Sequence, residues 1–303
     1  MMQVLPRLLV VLATCVASLA SAHNDFTFAA FGDTPYTEDE ESRFVGMIAE
    51  INREKLAFVV HVGDFKSGWS PCTDALFMQR REWFALFHHA LIYTPGDNEW
   101  SDCWRPLFAS SASRDPLERL QKLRSLFFAD DTSLGQQKIA LNRQSPAYPE
   151  HARWTHEGIV FATLNVPGGD NNARMPAEFA TRGKAIDAWI AATFEVARAQ
   201  SSRAVVLVIQ ADPLSSGGRI KPGYISLMNA ITRETLNFQG EVLLIHGDTH
   251  RYRVDQPLIH PQTQRVLRNF TRIEVFGYPV VNWVRVHVSQ RDGRVTFAPS
   301  PGY

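Results

Sequence analysis

Four Gly-Asp pairs, Gly32-Asp33, Gly63-Asp64, Gly96-Asp97 and Gly247-Asp248, each close an apolar run, and the last is followed by His250. A single such pair reads as a turn whose Asp caps a helix. Four in the same setting point elsewhere. In an open, mainly parallel sheet the ligand site lies outside the carboxyl ends of the strands, so the four carboxylates converge on one place. Glycine lets the chain turn sharply as it leaves each strand. Converging carboxylates repel one another unless a cation neutralises them, and the pattern therefore predicts one or two divalent metal ions.

Strands must carry those pairs. Phe26–Phe31, Leu56–Val62, Leu91–Thr94, Ile159–Asn165, Val205–Gln210 and Val242–His246 are short, continuous apolar runs, as expected of strands buried on both faces. Helical patterns lie between them over Glu38–Arg53, Asp74–Phe87, Pro116–Phe128, Gly183–Ala199 and Tyr224–Asn237. Alternation of strand and helix predicts an α/β chain with a mainly parallel sheet. Three further runs, Arg272–Phe276, Val281–Val288 and Val295–Ala298, follow without helices and are expected to pair antiparallel. The stretch 99–158 reads as an insertion over one face, and 23–303 as a single domain.

The order FGDTPY, HVGDFK, TPGDNEW, VLVIQAD and LIHGDTHRY resembles the calcineurin-like metallophosphoesterases over residues 26–252. The resemblance implies a two-sheet αββα sandwich with helices outside, and two divalent metals bridged by one Asp. Position by position, it makes Asp33 and His250 ligands and Asp64 the bridging ligand. Asp97 stands where the family has a metal-binding Asn, Asp248 and Gln210 where it has His, and Glu99 matches the acid that closes the third motif. Pro35 replaces a ligand His and offers no side-chain donor, so water or Tyr36 completes the first site. Ligands so rich in oxygen suit Mn²⁺ or Mg²⁺, and also Ca²⁺, better than Zn²⁺.

Asn98 takes the place of the family's assisting His; it can donate a hydrogen bond to a phosphoryl oxygen but supplies no proton. With Asp64 and His250 it forms the implied catalytic set for metal-dependent hydrolysis of a small phosphorylated substrate. Lys66, Arg251 and Asn165 are candidates to bind that substrate, followed by Arg219 and Lys221. His61 and His246 lie inside apolar strands and read as core residues. The accumulated substitutions keep a second reading open, a binding protein that retains the fold without catalysis. A metal-free glycosidase built on two of the carboxylates is a third.

The ends and the composition narrow the setting. Arg7, the apolar run Leu8–Ala20 and Ala20-Ser21-Ala22 read as a signal peptide over 1–22, hence a periplasmic or secreted protein. Beyond it no segment is long and apolar enough to cross a bilayer. Cys72 and Cys103 then remain to pair, tying two site loops together. Formal charge balances at zero, which gives no support to a nucleic-acid partner. The sequence leaves the oligomeric state open.

Overall fold

The computed structural model describes residues 25–105 and 112–303; the expected signal peptide lies outside them. Two sheets face each other. One holds β1 (Phe26–Phe31), β2 (Val59–His61), β3 (Leu91–Tyr93), β11 (Val284–Arg291) and β12 (Arg294–Pro301), in the order β12-β11-β1-β2-β3. The other holds β4 (Asn142–Ser145), β5 (Tyr148–His156), β6 (Ile159–Thr163), β7 (Ala204–Val208), β8 (Glu241–His246), β9 (Arg253–Asp255) and β10 (Phe270–Glu274), in the order β4-β5-β6-β7-β8-β10-β9. Within them β1, β2 and β3 run parallel, as do β6, β7, β8 and β10.

The apolar runs are continuous because successive residues enter different cores. From β1, Phe28 and Ala30 point between the sheets, where they meet Phe58, Val60, Phe161, Val206 and Ile245. Ala29 and Phe31 point outward and pack with Phe44 and Met47 of the helix Glu38–Ile51 and with Phe77 and Phe84 of the helix Asp74–Phe84. On the far side Val205 and Leu207 lie beneath Ile186, Ile190 and Phe194 of the helix Pro176–Ala199 and Met228 and Ile231 of the helix Ile225–Leu236. The result is the αββα sandwich expected.

Two expectations need correction. The last three strands do not form one antiparallel set: β10 joins the larger sheet beside β8, and the chain then crosses over so that β11 pairs with β1 and β12. The stretch 99–158 is also less of an insertion than its polarity suggested, because β4 and β5 extend the sheet from β6. Their mixed composition, as in Asn142–Ser145, hides an edge strand that faces solvent on one side.

Candidate metal and phosphoester site

Each Gly-Asp pair leaves the carboxyl end of a parallel strand. Asp33 follows β1, Asp64 follows β2, Asp97 follows β3 and Asp248 follows β8, so loops from both sheets meet at one edge. They are hydrogen-bonded into a single unit. The Asp248 backbone N–H donates to both Asp33 carboxylate oxygens at 3.1 Å, and the Asn98 N–H donates to Asp64 Oδ1 at 3.0 Å. The Asp212 N–H donates to Asp248 Oδ2 at 2.9 Å.

The glycines serve a purpose that the sequence reading did not give them. Of the four, only Gly63 has a left-handed φ, +105°. Gly96 and Gly247 are glycine because a carboxylate from another loop lies where a side chain would go: an added Cβ would collide with Asp64 Oδ1 and Asp33 Oδ2 respectively. The strain sits instead on the acids and on His250. Asp33, Asp64, Asp248 and His250 have φ of 52°, 59°, 80° and 60°, a region unfavourable for side-chain-bearing residues and one that clusters at functional sites.

The electrostatics follow from this crowding. Burial first, and the Asp248 charge next, hold the Asp33 carboxyl well above the usual carboxylate range. Burial followed by the Asp97 charge does the same to Asp64. Burial with Asp102 nearby pushes Asp97 up to about 7, and burial with Asp97 nearby takes Asp248 up to about 7. Asp97 Oδ1 is buried without a hydrogen-bond partner.

His250 is held in one tautomer. Its Nδ1 lies 3.0 Å from the Tyr278 carbonyl oxygen, which can only accept, so Nδ1 carries the proton. Nε2 therefore presents a lone pair, 3.7 Å from Asp33 Oδ1. The Tyr36 hydroxyl stands 3.4 Å from that nitrogen and 3.3 Å from Asp64 Oδ2, and accepts from Asn98 Nδ2 at 3.0 Å.

The other expected residues divide. Gln210 reaches the site, but its carbonyl oxygen accepts from the Gly168 N–H at 2.6 Å, which turns its NH₂ toward Asp64 Oδ2 at 3.0 Å. Lys66 is buried and donates to the carbonyls of Ser67 and Asn98 at 2.7 and 2.6 Å; burial brings its pKa down to about 8. Asn165 lies in a buried network, donating to Glu150 Oε1 at 3.0 Å. Arg251 is exposed, and its backbone N–H donates to Glu274. Glu99 binds backbone, not the cleft, accepting from the N–H groups of Asp64 and Gly96. His61 and His246 are buried, as read from their strands. Cys72 and Cys103 form a disulfide.

Two further residues, neither named individually from the sequence, border the acids. Gly168 sits against Asp97 and Asp248, where a Cβ would press on both carboxylates, and it opens a turn in which Gly169, Asp170, Asn171 and Asn172 all have φ between 56° and 58°. Gly, Asp and Asn are the residues that tolerate this region, so the run Gly-Gly-Asp-Asn-Asn was its signal. Arg105, 2.7 Å from Asp102 Oδ2 and near Asn98, had none beyond its place after Cys103.

No family model matches the sequence, and no curated protein matches it. Among solved structures the chain is similar to PhoD, at 11% identity over 91% of this chain and 68% of that one, with a TM-score of 0.50. It is also similar to the purple acid phosphatase PPD1 from yellow lupin (Lupinus luteus) seeds, at 11% identity and a TM-score of 0.53, over 93% of this chain and 52% of that one. The chain thus spans about half the length of the lupin protein. Its fold is that of the calcineurin-like metallophosphoesterases.

That fold implies divalent metals. Among the described residues, no group of three or more His, Cys, Asp and Glu side chains by itself forms a holder for one. The first half of the site nonetheless suits a cation, because the His250 lone pair faces an Asp33 oxygen 3.7 Å away and a bound positive charge would offset the burial and repulsion that hold the Asp33 carboxyl up. The second half suits one poorly, since Gln210 turns hydrogens toward Asp64. Among the described residues no helix is long and apolar enough to cross a membrane.

Proposed function

We propose that this protein is an exported, divalent-cation-dependent phosphoester hydrolase acting on a small phosphorylated substrate. The observation that carries the reading is the convergence of Asp33, Asp64, Asp97 and Asp248 from two sheets into one cluster, the first three buried and Asp248 half-buried, beside the His250 lone pair. Asp33, Asp64 and His250 would hold the cation, which when bound supplies positive charge for a phosphoryl group and lowers the pKa of water. The chain's own residues do the rest. Hydrogen bonds from backbone N–H groups fix Asp33 and Asp64, so the acids need little reordering when substrate arrives. The Asn98 amide, which gives one hydrogen to the Tyr36 hydroxyl at 3.0 Å, would give its other to a phosphoryl oxygen. It has no ionisable proton to give the leaving group, and loss of a general acid costs about 10²–10⁴-fold. Esters with good leaving groups should therefore be favoured.

The disulfide fits an oxidising compartment and supports export. The test is hydrolysis of p-nitrophenyl phosphate and its bis-ester by the wild type and by Asp64→Asn, with circular dichroism on both. Activity lost by a folded variant supports the reading. Unchanged activity in the variant removes it, and no hydrolysis by the wild type with a bound cation favours the binding-protein alternative.

A further inference from the structure

We infer that Arg105 anchors the substrate's phosphoryl group, and that with Asn98 and the cation it makes the site select phosphomonoesters over phosphodiesters. This rests on the hydrolase reading for the reaction itself, and on the geometry around Asn98 for the anion.

Arg105 comes from the loop that follows β3, and that loop is tightly held. The N–H groups of Trp100 and Asp102 donate to the Asp97 carbonyl at 3.2 and 2.9 Å, and the Arg105 N–H donates to the Asp102 carbonyl at 2.9 Å. Cys103, two residues earlier, is bonded to Cys72 on the loop after β2. The Arg105 guanidinium stands where these two loops meet. Its Nη1 lies 2.7 Å from Asp102 Oδ2; the Asp102 side chain is buried, whereas 33% of the Arg105 side chain remains exposed. One carboxylate oxygen cannot take the five N–H donors of a guanidinium. Gly68, on the loop after β2, marks the space beside it. A Cβ there would fall 2.7 Å from Asn98 Oδ1 and 3.3 Å from Arg105 Nη1. No left-handed φ requires glycine at this position, so the missing side chain keeps the gap beside Asn98 and Arg105 clear.

The carboxylates around Asn98 repel an incoming anion, so its anchor must bring positive charge. Lys66 is spent on the Ser67 and Asn98 carbonyls, and Lys221 donates to the Asp212 carbonyl at 2.8 Å on the Asp248 side. Arg105 lies beside Asn98 and pairs with phosphoryl oxygens in the charge-assisted way that guanidinium groups favour. Arg174 adds charge at the same rim: its guanidinium bonds the Ser101 carbonyl and lies 4.8 Å from the centre of the Trp104 ring. A phosphomonoester has three non-bridging oxygens and carries up to two negative charges, whereas a diester has two such oxygens and one charge. Three groups here can each address one oxygen: the cation at Asp33, Asp64 and His250, the second Asn98 amide hydrogen, and the Arg105 guanidinium. A diester leaves one of the three facing an ester substituent.

The experiment compares p-nitrophenyl phosphate with methyl p-nitrophenyl phosphate, which share a leaving group, for the wild type, Arg105→Gln and Arg105→Lys in Mn²⁺. Isothermal titration calorimetry measures inorganic phosphate binding by the same proteins, and circular dichroism checks their folding. A hydrogen bond to a charged group contributes about 10–100-fold in affinity. The expected result is a wild type with the higher kcat/KM on the monoester. Arg105→Gln should lose at least about tenfold more on the monoester than on the diester, with phosphate binding weakened to match. Arg105→Lys, which keeps the charge but not the planar fork, should fall between. Equal losses on the two esters, or a wild type that prefers the diester, would overturn the inference and leave the hydrolase reading standing. So would phosphate binding that is unchanged in Arg105→Gln. A wild type that hydrolyses neither ester, yet binds phosphate at least about tenfold more tightly than Arg105→Gln, would remove the hydrolase reading and keep Arg105 as the anion anchor. Neither hydrolysis nor phosphate binding would overturn both. Should Arg105→Gln fail to fold, the same comparison with Arg105→Lys decides.

Discussion

Glu99 offers a sharp test of how the site is held together. The residue is fully buried, and its carboxylate accepts from the Asp64 N–H at 3.0 and 3.1 Å, the Gly96 N–H at 2.9 Å and the Tyr93 hydroxyl at 2.7 Å. It therefore clamps the loop after β2 to the loop after β3. In Glu99→Gln an amide oxygen at the Oε1 position can keep the Tyr93 and Gly96 bonds and a weakened one from the Asp64 N–H, but the NH₂ at the Oε2 position then faces that same N–H, hydrogen to hydrogen. Two bonds become neutral, a third is impaired, and the buried Lys66 ammonium loses a compensating charge. Hydrogen bonds to charged groups contribute about 1.5–3 kcal/mol against about 1 kcal/mol for neutral ones, so the expected loss is about 3–5 kcal/mol. For a domain of this size that is a fall in melting temperature of about 6–15 °C. Thermal unfolding followed by circular dichroism at pH 7.5, in chelator, measures it. A variant melting within about 2 °C of the parent would refute the clamp and mean that Glu99 is already neutral in the folded chain.

Other outcomes follow from the same geometry. Gly96→Ala places a Cβ against Asp64 Oδ1 and close to Gln210 Cγ, so it should lower stability by about 1–3 kcal/mol and cut hydrolysis of p-nitrophenyl phosphate more than a surface Gly46→Ala, whose Cβ meets open space. Reduction of Cys72–Cys103, which closes a span of 31 residues, should destabilise by about 3–4 kcal/mol, visible as a lower melting temperature in dithiothreitol. Burial lowers the His61 pKa to about 3. The unfolded chain then binds a proton below about pH 6.5 that the folded one does not, so this residue's contribution is lost as pH falls from about 6.5 toward 3. Stability of the wild type relative to His61→Asn should decline by about 1.4 kcal/mol per pH unit over that window. A difference independent of pH in urea titrations would contradict it.

The layers and the strand-end acids were legible because their signals are local. A run such as Phe26–Phe31 fixes a strand by its own composition, and a Gly-Asp pair marks the strand's end. The edge strands β4 and β9, and β5 next to β4, were not legible, because partial exposure breaks the apolar run. The direction in which a polar group points was hidden as well. Gln210 reads as an oxygen donor until Gly168, distant in sequence, claims its oxygen. Lys66 looks like a phosphate ligand until Ser67 and Asn98 turn their carbonyls onto it. Those outcomes depend on how loops from two sheets meet, and no spacing within one loop encodes that.

The central claim is that the buried acids work by binding a cation that hydrolysis requires. The direct measurement takes one preparation of the wild type through chelation and reconstitution, following p-nitrophenyl phosphate hydrolysis throughout. The account predicts that activity disappears on removal of divalent cations, returns with Mn²⁺ or Mg²⁺, and does not return in Asp64→Asn. Hydrolysis that persists in the stripped protein, or that returns equally in the variant, would contradict it.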